Sequence, residues 1–594
     1  MSMTCWKRIS RLTVMSAALL SPAVSSAQTR PATAPVVPPT AAVIDPSVYG
    51  DEGWNVPPAV PKNATRPRTV DLLKAQLALE EGLHRAQYIM EIGQCKLPSG
   101  LDAIKNAMAD SDPHMRAQGL RSAGTIGDKS LQGDVEKLLG DPDAEVRREA
   151  VIAACTIDGA HATDSVAVLK GLDDADPTVV IAALQYAKTA GEADAIAART
   201  MKMQGIVQLE AINALGRLHA AKHADMVAGF LNQDIAQKIS ALDSLRLMQA
   251  RQHAAAVIAL QGDKHPSVRR QAVTAMGALS DVPTQQQRAL AMMLDNDPSV
   301  RTAAATILSD HPIMAAIPLL KKSLYDSYLP LHDAARPGLA RPISPEMRQA
   351  EIELAAPMLD DPDPRRREDA SYILGEVRSD ARLERHLELT RFPTAFTPGK
   401  PMAAIDWGVV TQACHSLGRI ANPKAGPEMY AIAKLAPATM DEIKFATHVI
   451  PPMQTIKEAF VAAGQMGYTP VLSESKRLMA GPAQEQDGNM RASAIWALAY
   501  LTDKSDAATN QALAKVLGNQ METLGKFEAS KALAWRGYKP ALPALKTVST
   551  KDPDAYGRFG AWWAVVHLTG EKSVYVPPDQ EWTADVSVQD LTEK

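Results

Sequence analysis

Apolar residues recur with the period of an α-helix along almost the whole chain after Pro67. In a typical stretch, Val146 and Ala150 place small apolar side chains on one face of a helix, and charged residues occupy the other face. A break such as Gly127-Asp128 then ends the pattern, and a second apolar stretch begins. The pattern predicts pairs of short helices joined by tight turns, and therefore an all-α protein.

One phrase marks the start of many helix pairs. Asp and Pro come first, and an Arg or Lys follows three residues before an Ala, at intervals of roughly 30 residues. Asp before Pro is a natural N-cap, because the carboxylate accepts from free amides and Pro fits the first helical position. Clear copies begin at Asp112, Asp141, Asp176, His265, Asp297, Asp361 and Asp552, and degenerate copies lie at 208–211, 238–241, 491–494 and 526–529.

Two helices of about twelve residues cannot bury their apolar faces alone. Stacked pairs can, because each pair then covers its neighbours and the core becomes continuous. The recurrent Ala residues allow the helices to approach closely. The predicted fold is an α-solenoid of stacked antiparallel helix pairs with a superhelical path.

The segment DPDAEVRREAVIA at 141–153 resembles a HEAT repeat of the short bacterial type that is named after phycobilisome lyases. The resemblance extends over 71–568, and the closing tail looks like those of many secreted bacterial HEAT proteins. In that family the repeat Asp and Arg usually link neighbouring units by hydrogen bonds, and Val180 would interrupt such a ladder here. The resemblance implies structural ladder roles for Asp112, Arg116, Asp141, Arg147, Asp297 and Arg301.

The N-terminus has the features of a secretory signal. Lys7, Arg8 and Arg11 are basic, 12–20 is apolar, and small residues end at Ala27. We expect cleavage after Ala27 and a periplasmic or secreted protein. The alternative is a fortuitous apolar start on a cytosolic protein.

The remaining chain divides by composition. Residues 28–69 carry nine prolines and are interpreted as a disordered linker. Trp582 in the final segment is expected to cover the last helix as a cap. The predicted segments are 1–27, signal peptide; 28–69, linker; 70–324, N-terminal HEAT array; 325–345, insertion loop; 346–485, degenerate HEAT repeats with a loop at 391–402; 486–570, C-terminal HEAT repeats; and 571–594, capping tail.

Two proline-rich interruptions, 325–345 and 391–402, are predicted to be loops because Pro at these spacings blocks helix continuation. They are either tolerated insertions or one recognition site, since loops on a rigid scaffold often carry function. The candidate partner-binding residues are aromatic and cationic: Tyr325, Tyr328, Arg336, Arg341, Phe392, Phe396 and Lys400.

Most aromatic residues of the chain lie after Leu324. They favour a better-filled core in the C-terminal half, because Trp496, Trp535 and Trp562 fall inside apolar helical patterns. The alternative is a partner-binding concave face in that half.

The net charge and the sequence motifs limit the kinds of ligand and reaction that we expect for this chain. The chain has 63 basic and 67 acidic residues and a net charge of −4, which gives no electrostatic footprint for nucleic acid. The pair His219 and His223 has helical metal-ligand spacing but no evident third ligand. We predict no metal, no cofactor, no catalytic residues and no transmembrane segment.

The sequence therefore favours an exported, non-enzymatic scaffold or adaptor that mediates protein–protein interaction. Two alternatives stay open. One is a lyase-like or ligand-handling HEAT protein, and the other is a cell-envelope module that binds polysaccharide or an outer-membrane partner.

Overall fold

The computed structural model describes residues 66–79, 83–159, 163–393, 405–446, 448–519 and 524–570. The described residues form an all-helical α-solenoid, which confirms the predicted fold class. The helices from Pro67 onward belong to one compact unit. The predicted signal peptide, the capping tail, Phe396 and Lys400 lie outside the described residues. The first helix begins at Arg66, inside the segment 28–69 that the sequence assigns to a linker, and residues 28–65 lie outside the described part of the chain.

Successive long helices pack against one another and form one layer of the solenoid. After α1 (Arg66–Leu79), these helices are α2 (Leu83–Cys95), α4 (Pro113–Ile126), α6 (Ala144–Asp158), α8 (Pro177–Tyr186), α10 (Gly205–Arg217), α12 (Ile235–Leu247), α14 (Pro266–Leu279), α16 (Pro298–Asp310), α18 (Leu329–Ala335), α20 (Pro364–Glu376), α22 (Trp407–Ile420), α25 (Met453–Gln465), α27 (Gly488–Leu501), α29 (Leu524–Trp535) and α31 (Ala555–Thr569).

The intervening helices form the second layer, and many of them follow a short 3-10 turn such as Lys129–Leu131. They are α3 (Leu101–Met108), α5 (Gln132–Lys137), α7 (Val166–Gly171), α9 (Ala190–Thr200), α11 (Ala224–Ala228), α13 (Ala254–Ala259), α15 (Val282–Met292), α17 (Ile317–Leu324), α19 (Pro345–Met358), α21 (Leu383–Glu388), α23 (Gly426–Ala433), α24 (Met440–Lys444), α26 (Leu472–Ala480), α28 (Ala507–Val516) and α30 (Leu542–Lys551).

Local chemistry explains where the long helices start and stop. The Asp112 carboxylate accepts from the His114 backbone N–H at 2.9 Å, and Pro113 takes the first helical position of α4. The helix ends at Gly127, whose φ of 67° only glycine adopts without strain. The Asp of the phrase thus caps α4, α8 and α16. In α6, α20 and α31 the cap is instead the acid two residues later: Asp143, Asp363 and Asp554.

Small residues set the close spacing of the layers. Ala117, Ala150 and Ala154 are buried at helix contacts. Gly119 on α4 lies so near α3 that an added Cβ would be 2.7 Å from the Met108 backbone nitrogen. A larger side chain there would push the two helices of this repeat apart.

The buried apolar residues form two clusters along the chain. One runs from Ala86 to Leu374, and the other runs from Leu387 to Ala497. The boundary between the two clusters falls between α20 and α21, close to the predicted loop at 391–402.

The segment 325–345 is not the loop that the sequence predicted. Residues Leu329–Ala335 form α18, and a 3-10 helix follows at Arg336–Leu339. Pro330 and Pro337 lie in the first turns of these helices, where a missing N–H disturbs nothing. The segment therefore supplies a shortened first helix for one more repeat, packed between α16 and α20.

Candidate partner-binding surface

An arginine on each regular long helix joins its own repeat to the next. In α6, Arg147 donates from Nε and Nη2 to both Asp174 carboxylate oxygens, at 2.7 and 2.9 Å. Its Nη1 also donates to the backbone oxygens of Asp141 and Pro142 at 2.9 and 3.1 Å. The hydrogen bond from Arg147 holds the pKa of Asp174 below its ordinary value. The equivalent contacts are Arg116 to Asp141, Arg269 to Asp295, Arg301 to Asp326 and Arg367 to Asp406.

Two acids assigned to this ladder have a different role. Asp112 and Asp297 are N-caps, and each carboxylate accepts from the backbone N–H two residues ahead. The acid that meets an arginine lies two residues before such a cap, as Asp110 does when it accepts from Arg85 at 2.9 Å. The correction has a geometric reason: the cap carboxylate points into its own helix end, whereas the earlier acid lies in the turn between repeats.

The ladder is interrupted at α8, where Val180 takes the arginine position and is buried. One repeat later an uncharged contact bridges the long helices: Gln237 donates to Gln208 at 2.7 Å. Met201 and Ile206 beside this contact are exposed by 67% and 65%. The bridge between α10 and α12 is therefore uncharged, whereas Lys222 and Asp194 form an ion pair at 2.7 Å between the 3-10 helix at Ala221–His223 and α9.

A second interruption occurs at α18 and has a different outcome. His332 stands at the arginine position, but it contacts Asp369 on α20 rather than Asp361 in the next turn. Asp361 instead accepts from the Tyr325 hydroxyl at 3.2 Å. An aromatic residue thus replaces the arginine in contacting the acid.

His332, Arg336, Arg366 and Asp369 form a compact group that we call the Asp369 cluster. His332 Nε2 lies 3.0 Å from both carboxylate oxygens of Asp369. Arg366 donates to the same carboxylate at 3.0 Å, and Arg336 Nε lies 3.4 Å from it. Asp369 is only 1% exposed, so three cationic or titratable groups surround one buried carboxylate.

Aromatic rings flank the cluster on two sides. The Arg336 guanidinium stacks over the Tyr372 ring at 4.3 Å and donates to Gln412 on α22 at 3.1 Å. The Arg366 guanidinium lies 4.8 Å above the Tyr325 ring. These contacts fix both arginine side chains through stacking as well as charge.

The pKa values of residues in and beside the Asp369 cluster are shifted from their ordinary values. The hydrogen bond to Asp369 raises the pKa of His332, although burial opposes that shift. Burial raises the pKa of Tyr325, and the Asp361 carboxylate adds to the shift. Burial also raises the pKa of Glu368. The imidazole therefore keeps its proton, and the cluster its positive charge, to a higher pH than a free histidine would.

Polar contacts continue along the long helices toward the C-terminus. His415 Nδ1 lies 2.9 Å from Glu458, and Gln454 donates to the other Glu458 oxygen at 2.9 Å. The hydroxyls of Thr411 and Thr455 are 2.6 Å apart. The long helices α22 and α25 are thus linked by these side-chain hydrogen bonds rather than by a ladder arginine.

The structure brings some of the sequence candidates together and separates others. Tyr325 and Arg336 meet at the Asp369 cluster, and Tyr328 lies exposed at the start of α18. Arg341 lies beyond the other end of that helix, where it donates to the Ser309 backbone oxygen at 3.4 Å. Phe392, a candidate partner-binding residue, is half-buried, and its ring lies 5.0 Å from the ring of Trp407 at the start of α22.

The sequence did not identify Leu329, His332, Arg366 and Asp369. One signal was present for Asp369, which directly precedes the repeat alanine Ala370. Glu149 occupies the same place in an earlier repeat, and it also bonds arginines of the long helices. A polar residue directly before the repeat Ala therefore indicates a contact between long helices.

The aromatic residues of the C-terminal repeats are mostly built into the packing. Tyr500 lies between Trp496 and Trp535, with ring centroids 5.0 and 4.4 Å apart. Burial raises the pKa of Tyr500 to about 12. These contacts favour the filled-core interpretation for these rings over an open binding face.

The histidine pair considered for metal binding is occupied otherwise. His219 contacts the Leu247 backbone oxygen and His223 contacts Asp194, both at 2.7 Å. Across the described residues no group of His, Cys, Asp and Glu side chains is arranged to hold a metal ion. Among the same residues, no helix is both long and apolar enough to cross a bilayer.

Comparison with known proteins agrees with this architecture. Residues 70–155 match the family model for HEAT repeats. The chain is similar in fold to the karyopherin Kap121p bound to the SUMO protease Ulp1p, with 11% identity, a TM-score of 0.51, and coverage of 85% of this chain and 67% of that one. The described chain is therefore an α-solenoid, and its residues 70–155 match HEAT repeats.

Two further solved structures are similar at lower scores. Importin beta in a polyethylene glycol condition has 14% identity, a TM-score of 0.49, and coverage of 85% and 82% of the two chains. Kap95p in its complex with RanGDP has 10% identity, a TM-score of 0.46, and coverage of 84% of each chain. No curated protein matches this chain in sequence.

Proposed function

We propose that this chain is an exported, non-enzymatic scaffold that holds a protein partner. The docking edge consists of Tyr325, Tyr328 and Leu329 beside the Asp369 cluster. The Asp369 cluster keeps this edge rigid, so that the partner meets a preformed surface and little side-chain ordering opposes binding.

One observation carries the proposal. Tyr325, Tyr328 and Leu329 are exposed by 49%, 38% and 49%, although they lie within five positions of one another. Large apolar side chains that are exposed together mark interaction sites more often than scattered ones do. Tyrosine and arginine are also the residue types that dominate binding energy at interfaces, and Arg366 stacks directly on Tyr325.

The fold comparison supports a binding role without identifying the partner. In that structure Kap121p is bound to another protein, a SUMO protease. A stacked solenoid offers the same kind of long, rigid surface for a partner chain. A ligand-handling enzyme or a polysaccharide-binding envelope module would use the same solenoid for different ligands, and the following experiment separates these functions.

The experiment is affinity purification of the tagged full chain after brief crosslinking in its native host. We expect one protein partner at fixed stoichiometry. The variant Tyr325→Ser/Tyr328→Ser/Leu329→Ser should lose it while keeping its melting temperature. Enrichment of a glycan or a small molecule instead of a protein would contradict the scaffold proposal.

A matched control uses another exposed apolar set. Met201, Ile206 and Ile235 are also exposed, and they lie at the first ladder interruption. The variant Met201→Ser/Ile206→Ser/Ile235→Ser should retain the partner. Equal loss in both variants would show that general surface hydrophobicity, and not the 325–329 edge, holds the partner.

Export is part of the same proposal and has its own test. The basic residues before the apolar stretch 12–20 and the small residues ending at Ala27 support it. N-terminal sequencing of the protein from the periplasmic or extracellular fraction should begin at Gln28. An intact N-terminus in the cytosolic fraction would contradict export and leave the docking edge unaffected.

A further inference from the structure

The second-layer helices α13, α15 and α17 carry a charge pattern unlike that of their neighbours. Residues 248–262, 282–294 and 313–324 contain no Asp or Glu at all. By contrast, α9 carries Glu192 and Asp194, and α19 carries several glutamates. Three successive helices of the second layer thus carry no carboxylate side chain.

Four exposed cations lie on this stretch: Arg251, Arg288, Lys321 and Lys322. Their side chains form no hydrogen bond or ion pair in the described part of the chain. The half-buried Arg199 on α9, by contrast, pairs with Asp173 at 2.7 Å. We call the outer surface of α13, α15 and α17 with these four cations the basic face.

A cavity opens on the basic face between α13 and α15. It has a volume of about 440 Å³, and Ile258, Gln261, Arg288 and Met292 contribute to its lining. Gln261 is only 5% exposed, and neither its side-chain nitrogen nor its oxygen has a partner in the described structure. A group that reached this amide from the cavity would satisfy its unpaired donor and acceptor.

The combination defines the chemistry of a ligand. A primary amide with a free donor and a free acceptor matches a peptide unit, which offers one N–H and one C=O. Ile258 and Met292 provide apolar walls for a side chain, and Arg288 is placed to bind a carboxylate. A single small anion would use the arginine but leave the amide and the apolar walls unused.

We propose that the basic face is a docking site for an extended acidic segment of a partner protein. Its carboxylates pair with the four cations, and one apolar side chain and its peptide unit enter the cavity at Gln261. Helices pack about 8–10 Å apart, so three of them span roughly 20 Å, or about six extended residues. The assignment rests on the proposed function, and it adds a second, electrostatic contact to the 325–329 edge.

The test is fluorescence anisotropy with the full chain and a labelled peptide of about ten residues, rich in glutamate with one central leucine. Affinity should fall as salt is raised. The variant Arg288→Gln/Lys321→Gln/Lys322→Gln should weaken binding about tenfold or more, because three charge contacts are lost. Gln261→Leu should also weaken binding while raising the melting temperature, since it removes the orphaned amide.

The matched control is Arg270→Gln. Arg270 is exposed and lies on α14, which belongs to the long-helix layer and not to the basic face. It should change the affinity by less than about twofold. Equal weakening by Arg270→Gln, or no preference for the glutamate peptide over a glutamine analogue, would overturn the proposal.

Two further outcomes are decisive. If a synthetic peptide of 571–594, which is itself acidic, binds while the glutamate peptide does not, the face belongs to the chain's own end and the partner assignment is wrong. If the charge variant still captures the native partner with unchanged affinity, the docking site is overturned while the scaffold function stands. If only the variant Tyr325→Ser/Tyr328→Ser/Leu329→Ser loses the native partner, the docking site on the basic face is likewise overturned while the scaffold function stands.

Discussion

The regular repeats and the repeat at α18 place similar charged residues in different contacts. In α6 the arginine bonds the acid of the next repeat, whereas at α18 the same position holds His332, which bonds Asp369 on the following long helix. The first arrangement uses charge to hold repeats in register. The second gathers Arg336 and Arg366 around one carboxylate and leaves Tyr325 to contact the acid in the turn.

The difference teaches where a solenoid can acquire a binding surface. A ladder arginine covers the turn between repeats and satisfies its backbone oxygens. When that residue is absent, the turn exposes apolar side chains, as Met201 does at the first interruption and Tyr328 does at the second. Only the second interruption also has cations fixed beside the exposed residues, which is why we assign partner docking to it.

The largest effect is expected at the carboxylate of the Asp369 cluster. Asp369→Asn leaves two arginines and a raised-pKa histidine without their buried counter-charge, which should lower the free energy of unfolding by about 3–5 kcal/mol. Asp333→Asn is the control, because Asp333 also contacts His332 but is 76% exposed at its side chain. Calorimetry that finds equal melting temperatures for both variants would show that the cluster does not hold this segment together.

The next effect concerns a buried carboxyl of the same repeat. Glu351 on α19 is fully buried, neither of its oxygens has a partner in the described structure, and burial raises its pKa to about 7. The folded state therefore disfavours ionisation, and stability is lost as pH rises from about 4.5 to 7. Glu351→Met should remove this loss and stabilise the protein by about 2–3 kcal/mol above pH 7.

Two comparisons sharpen the Glu351 test. Glu353→Met, at an exposed position of the same helix, should have little effect. Burial lowers the pKa of His386 to about 4, so that residue acts oppositely and costs stability as pH falls from about 6.5 to 4. A Glu351→Met difference that stays constant from pH 4 to 8 would contradict the assigned pKa.

A smaller loss is expected where the ladder is intact. Arg147→Ala and Arg301→Ala should each lower the free energy of unfolding by about 1–3 kcal/mol, because the turn oxygens and the next repeat's acid lose their donor. Arg270→Ala should be neutral, since Arg270 is exposed on a long helix without such contacts. Unchanged thermal melting of both ladder variants would mean that these bonds add nothing to cohesion.

The smallest effect is expected in the C-terminal repeats. The Lys504 ammonium lies 4.0 Å from the Trp535 ring centroid. Lys504→Ala should reduce stability by about 0.5–1 kcal/mol by removing this cation–π contact. Lys504→Arg should preserve it, and tryptophan fluorescence during denaturation provides the measurement. A loss of stability in Lys504→Ala greater than that in Arg147→Ala would contradict this order of effects.

The fold could be predicted from the sequence because it depends on local signals that repeat. Caps such as Asp112-Pro113 and the Ala-rich helical period act within one helix pair and recur along the chain. The wrong prediction at 325–345 has the opposite origin. Proline spacing alone predicts a loop, whereas Pro330 lies in a first turn and helps to start α18.

The site could be predicted only in part. Tyr325 and Tyr328 stood out because aromatic residues are rare in the preceding repeats. The Asp369 cluster could not be derived, because its members come from α18, the 3-10 helix at Arg336–Leu339 and α20, and the repeat spacing does not show that these side chains meet. The pairing of Asp110 with Arg85 could not be derived either. Asp110 lies two residues before the N-cap Asp112, and the repeat spacing does not show which of the two acids meets the arginine.

The most direct test of the account compares two interruptions of the ladder in one measurement. A photo-crosslinking amino acid is placed at Tyr328 in one variant and at Ile206 in another, and both full-length proteins are irradiated in the native host. The account predicts an adduct with one partner protein from position 328 and none from position 206. An adduct with the same partner from position 206 alone would contradict it, because docking would then follow the loss of the ladder without the Asp369 cluster.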